Sequence, residues 1–92
     1  MKKKRHIPVI SFNELELKQK KPQVYKSLVE GITEAFETNS SEIKLCEVKY
    51  ANTYLTVHKD NWSGSLAKAM DFNIEKEENE QCSKIKKLIN KL

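Results

Sequence analysis

Between Val24 and Phe36 the apolar residues Val24, Tyr25, Leu28, Val29, Ile32, Ala35 and Phe36 advance by steps of one, three, one, three, three and one. That rhythm lays them along one face of an α-helix, because residues three and four apart stack on its surface. Glu30, Glu34 and Glu37 decorate the outside. A helix with one apolar stripe must press it against another layer, so this segment dictates what the rest of the chain has to supply. Pro22 suits the first position of such a helix. Gly31 lies inside it at a cost of about 1 kcal/mol against alanine, which points to close packing there. Asn39-Ser40-Ser41 ends the element.

The partner layer is legible downstream. Glu42 to Tyr50 reads as a strand in which Ile43 and Leu45 point one way and Cys46, Val48 and Tyr50 the other. That change of phase implies burial on both faces or a bulge near Leu45-Cys46. Ala51-Asn52 suits a tight turn, since Asn tolerates the left-handed region. Thr53 to His58 follows as the second strand of a hairpin, with Leu55 and Val57 alternating against Tyr54, Thr56 and His58. Upstream, Ile7, Val9, Ile10 and Phe12 surround Pro8, which cannot donate to a ladder; the segment is an edge strand or an extended arm. Ser11 and Glu14 resemble a capping box that opens a short helical turn through Leu15 and Leu17.

Beyond the hairpin, Asp60 or Asn61 is expected to cap a second helix whose stripe is Trp62, Leu66, Ala69, Met70 and Ile74. Phe72 falls off that stripe and is expected to face a neighbouring element. Glu75 to Asn79 is polar enough to bend the path. A last helix begins at Glu78 or Asn79, and Cys82, Ile85, Ile89 and Leu92 give it a heptad-like seam that Leu88 widens. Lys84, Lys86, Lys87 and Lys91 gather toward its C-terminus, where the helix dipole favours cations. The expected fold is a single α+β domain over residues 7–92. Its small antiparallel sheet, made of the central hairpin and an N-terminal edge strand, is packed by about three helices, and residues 62–92 form a C-terminal helical hairpin.

Ninety-two residues leave room for one core only. No apolar stretch approaches the ~20 residues of a membrane span, and the short segment after the basic start does not make a signal peptide, so a cytoplasmic setting is expected. The net charge of +4 is uneven. Residues 1–21 carry seven Lys or Arg against two Glu, while residues 22–92 are close to neutral. Lys2, Lys3, Lys4 and Arg5 thus form a basic arm over residues 1–6, and with Lys18, Lys20 and Lys21 they are the candidate contacts to nucleic acid or another anionic partner. A solvated terminus accounts for the same residues. No aromatic is interleaved with the arm, which removes base stacking from its repertoire.

Little in the chain points to catalysis. Gly31 and Gly64 cannot build a phosphate loop or a dinucleotide fingerprint. His58 and Asp60 share a side of the strand end, but Asp60 is explained as a helix cap. Cys46, Cys82, His6 and His58 are ligand types without the paired spacing of a zinc site, and the two cysteines read as small buried hydrophobes. Glu75, Glu77, Glu78 and Glu80 lack the spaced oxygens and glycine of a calcium loop. No catalytic residue, metal or cofactor is expected. Trp62 anchors its helix to the sheet or serves as a contact anchor. The candidate protein-interaction surface is Trp62, Phe72, Ile85, Leu88, Ile89 and Leu92.

Glu80, the small pair Cys82-Ser83, then Ile85, Ile89 and Leu92 occupy acidic, small and aliphatic positions in the stretch from Leu66 to Leu92. This stretch resembles the UVR motif, the helical hairpin of an excision-repair helicase subunit and of some protease adaptors. The resemblance implies a protein–protein interaction hairpin with no catalytic residues. In size and composition the chain also resembles the small accessory proteins of AT-rich bacteria and their phages, anti-CRISPR inhibitors among them. The expectation is a small non-enzymatic protein-binding module, an inhibitor or adaptor of a phage or mobile element acting on a larger, nucleoprotein complex, with a homodimer open to it. The alternative is a nucleic-acid-binding protein that uses the basic arm.

Overall fold

The computed structural model describes residues 7–11 and 13–92, without the side chains of Glu14 and Leu17. Its elements in chain order are β1 (Val9–Ile10), α1 (Glu14–Thr38), β2 (Glu42–Val48), β3 (Thr53–His58), α2 (Trp62–Glu75) and α3 (Asn79–Lys91). A 3-10 turn, Lys59–Asn61, joins β3 to α2. The class is the α+β domain expected. The sheet, however, is mixed: its order is β1-β2-β3, with β1 parallel to β2 and β3 antiparallel to it. Since α1 carries the chain back before β2 begins, the first strand enters in the same direction as the second.

α1 is one helix of 25 residues, where the sequence predicts a capping-box turn and then a fresh start at Pro22. Asn13, not Ser11, is the N-cap; its side-chain oxygen accepts from the N–H groups of Leu15 and Glu16. The Ser11 hydroxyl donates to the Glu16 carboxylate instead. Pro22 sits inside the helix and is exposed, so the hydrogen bond it cannot make leaves the Lys18 carbonyl on the solvent side. At the other end Asn39 takes the left-handed conformation (φ 60°), and the Ser40 N–H donates to Ala35 O at 2.9 Å. This six-to-one closure satisfies a carbonyl that would otherwise be orphaned.

Of the two explanations for the change of phase in β2, the bulge is the one present. The β2–β3 register slips between Lys44 and Cys46, which leaves Leu45 as the extra residue. The slip puts Ile43, Cys46 and Val48 on the same face, and all three are buried. The bulged carbonyl of Leu45 accepts from the hydroxyl of Ser27, 2.7 Å away on α1 and itself buried. One side chain thus fixes the helix to the strand where the ladder is irregular.

The core gathers Leu28, Val29, Ile32 and Ala35 of α1, Ile43 of β2, Trp62, Leu66 and Ala69 of α2, and Ile85 and Leu88 of α3. Ile32, Leu66 and Ile85 are fully buried, each contributing about 1.5–3 kcal/mol. α1 is the shared element, packed on β2 and also on both later helices. Two predicted stripes are rotated. On α2 the buried set is Trp62, Leu66, Ala69 and Asn73, while Ile74 is exposed; Asn73 tolerates its burial because its side-chain amide donates to Ala69 O at 2.7 Å. On α3 the seam runs through Ile85 and Leu88, which leaves Ile89 and Leu92 partly exposed. Glu77, with φ 58°, turns the chain between these two helices.

Candidate interaction surfaces

The helices cover one face of the sheet. Cross-strand partners share a face, so Val57, Leu55 and Thr53 lie on the covered side opposite Ile43, Cys46 and Val48. The other face presents Val9, Lys44, Glu47, Tyr54 and Thr56 in adjoining rows: Val9 pairs with Glu47, Glu47 with Tyr54, and Lys44 with Thr56. Apart from the half-buried Glu47, all of these are exposed. The Lys44 ammonium stands 4.6 Å from the centroid of the Tyr54 ring. At the hairpin tip Tyr50 is 93% exposed and held at φ 67°, a conformation that bulky side chains rarely adopt. Lys49 covers its ring at 5.3 Å. The Ala51 N–H donates to Val48 O at 3.3 Å, so Tyr50 holds the third position of the turn, where glycine or asparagine is usual.

β3 contains no buried residue, and among the described residues no strand pairs with its outer edge. Leu55, although it faces the helical side, is 38% exposed because α1 packs over β2 and leaves β3 overhanging. Sequence reasoning missed this edge. The available signal was the run Thr53 to Val57, which contains no charge, proline or glycine.

The predicted interaction residues divide. Trp62, Ile85 and Leu88 are core residues, at most 4% exposed, and offer almost no surface. Trp62 meets Phe36 edge-on at 5.8 Å between centroids, and its indole N–H donates to Val57 O at 3.0 Å. It anchors the start of α2 to the sheet. Asn61, one of the two expected residues, occupies the N-cap position of α2, but its side chain makes no capping hydrogen bond. The chain first makes the 3-10 turn, and there the His58 Nδ1 accepts from the Asp60 N–H at 3.3 Å. Phe72 is half-buried against Tyr25, 5.0 Å between centroids, as its position off the stripe implied. Ile89 and Leu92 do reach the surface. Leu92 lines a cleft of about 400 Å³ with Ala35, Phe36, Lys59, Trp62 and Lys91. Lys91 stands 5.6 Å from the Phe36 ring centroid.

Lys2, Lys3, Lys4 and Arg5 lie outside the described residues, as do His6 and Phe12. Lys18 and Lys21 are exposed on the first half of α1. Lys20 is committed within the fold: its ammonium donates to Val9 O at 2.7 Å and pairs with Glu16 at 3.1 Å. The Ser11 hydroxyl and Lys20 hold the Glu16 carboxyl below the usual carboxylate range. Together these groups tie β1 to α1.

His58 Nδ1 and the Asp60 carboxylate are 3.4 Å apart, with both side chains more than half exposed. The pair therefore faces water and not an enclosed pocket. Cys46 is buried and Cys82 half-buried, and both are free. Burial pushes the Cys46 thiol up, which keeps it protonated. Among the described residues no three His, Cys, Asp or Glu side chains come together to hold a metal, and no helix is long and apolar enough to cross a membrane.

Comparison with protein-family models, with curated proteins and with solved structures finds no match. The geometry defines a class, a small α+β domain with a three-stranded mixed sheet covered by helices on one face, and any functional reading has to start from its surfaces.

Proposed function

We propose that this chain is a small non-enzymatic protein-binding module. The observation that supports it is the half-covered sheet: one face packed by helices, the other open with Val9, Lys44, Tyr54 and Thr56 exposed beside an unpaired β3 edge. Tyrosine supplies a large, fairly rigid contact area, and alternating Lys and Glu set orientation rather than raw affinity. Tyr50, strained and exposed at the hairpin tip, adds a second candidate contact residue. In this reading the module works as an inhibitor or adaptor, such as a phage or mobile element would encode, that occupies a larger complex. The free cysteines suit a reducing, cytoplasmic setting.

A photo-crosslinking side chain placed at Tyr54 should capture a distinct protein in cells that express the chain, whereas the same group at Lys68, exposed on α2, should not. The purified partner should then bind Tyr54→Ala at least tenfold more weakly than the parent chain. Equal capture from both positions, or none, overturns the reading.

A second reading rests on Lys18 and Lys21, exposed on the part of α1 that follows the arm. There the chain binds nucleic acid with a steep salt dependence that is largely lost on deletion of residues 1–6. No binding at low salt removes it.

A further inference from the structure

We infer that the open edge of β3 is a self-pairing strand, and that two copies of this chain join there into a continuous six-stranded sheet. The inference rests on the protein-binding reading above and goes beyond it: the backbone edge of β3 pairs with a second copy, while the open face of the sheet remains for the distinct partner. Exposed edge strands are normally defended by lysine, proline, an inward charge or a bulge. β3 has none of these over Thr53 to Val57, and the bulge of the sheet sits on β2, the inner strand.

The backbone is oriented to accept a neighbour. The Lys59 N–H donates to Ser41 O at 2.8 Å, so odd-numbered positions along β3 turn their backbone groups toward β2. By the alternation of a strand, Tyr54 and Thr56 turn theirs outward. A two-fold axis normal to the sheet at Leu55 pairs Tyr54 with the second copy's Thr56, and the reverse, through those outward groups. It also sets Leu55 against Leu55 on the helical side and Thr53 against Val57. This register keeps both helical layers on the same side and keeps every pair from Thr53 to Val57 within the strand. The exposed part of each Leu55 is then covered by its own symmetry mate.

Charge favours a second copy over a polyanion. Residues 42–60 carry Lys44, Lys49 and Lys59 against Glu42, Glu47 and Asp60, so two hairpins meet without net repulsion. On the open face the row Glu47–Tyr54 runs into the second copy's row Thr56–Lys44, which gives an acidic end opposite a basic one. A single strand pair buries less than the roughly 1,000 Å² of a stable interface, so the dimer is weak and depends on concentration.

Sedimentation equilibrium from roughly 10 μM to roughly 1 mM, the range of weak complexes, tests this. The mass should rise from 10.7 kDa toward twice that value. Leu55→Lys and Leu55→Glu should each stay monomeric with an unchanged circular dichroism spectrum, and their equimolar mixture should regain the dimer. Thr56→Pro, which removes an outward N–H without touching the β2 ladder, should also be monomeric. A parent chain that stays monomeric at the top concentration overturns the inference, as does a mixture that gains no mass or a dimer that persists in Leu55→Lys. Protection of the Tyr54 and Thr56 amides only on adding a different protein also overturns it, and leaves the protein-binding reading standing.

Discussion

β2 and β3 pair along their length and both alternate apolar with polar residues, yet β2 buries Ile43, Cys46 and Val48 while in β3 only Val57 packs, partly buried, against the core. Strand propensity does not separate them. α1 does, because it packs on β2 and fastens to it through Ser27 at the bulge. One strand therefore carries stability and the other carries surface, and the half-exposed Leu55 marks the border between the two roles.

Four measurements can break or sharpen that contrast. The largest effect should come from Ile43→Ala, which empties a packed site and should cost about 2–5 kcal/mol in urea unfolding; Leu55→Ala on the same ladder should cost less than about 1 kcal/mol, since much of its side chain already meets water. Equal losses at the two positions would dissolve the distinction. Next, Ser27→Ala leaves the Leu45 carbonyl without this donor and should cost about 1–3 kcal/mol. A neutral result would mean that the bulge holds β2 without help from α1. Tyr50→Gly relieves the left-handed strain at the tip between the strands and should stabilise the fold by up to about 1 kcal/mol, less than the full strain because glycine gives the unfolded chain more freedom. If it also weakens partner binding, stability was given up there for contact.

The smallest effect concerns the opposite flank of β2. Glu16 has a lower carboxyl pKa folded than unfolded, so the clamp between β1 and α1 is fully present above the unfolded value and is lost as pH falls through the folded one. Acid titration of the β1 amides should show them exchanging faster in that window. Glu16→Gln should remove the pH dependence while β2 and β3 stay protected.

Much of this architecture was legible beforehand. The stripe from Val24 to Phe36, the change of phase at Leu45-Cys46, the bounds of β3 and the turning of Phe72 toward a neighbouring element all follow from periodicity, because side-chain spacing is a local property of helix and strand. Pro22 misled, since its local preference for a helix start was outweighed by the continuous helix on either side. Asn61 stands at the expected N-cap position, but neither it nor Asp60 caps α2 through its side chain, because a 3-10 turn that nothing local announces comes first. Of the candidate contact residues, Trp62, Ile85 and Leu88 went into the core, and Tyr54 and Leu55 were not anticipated as surface. An apolar residue on a stripe looks the same in sequence whether the stripe is covered or open.

The sequence by itself determined which segments are helices and strands and which of their faces are apolar, because those properties depend on neighbours within a few residues. The tertiary structure alone decided that β1 runs parallel to β2, that Asn73 rather than Ile74 completes the α2 stripe, and that β3 is left at the rim. The physical reason is that the helices can cover only part of the sheet, and which strand lies beyond their reach depends on how α1 seats on β2 through contacts between residues distant in the chain.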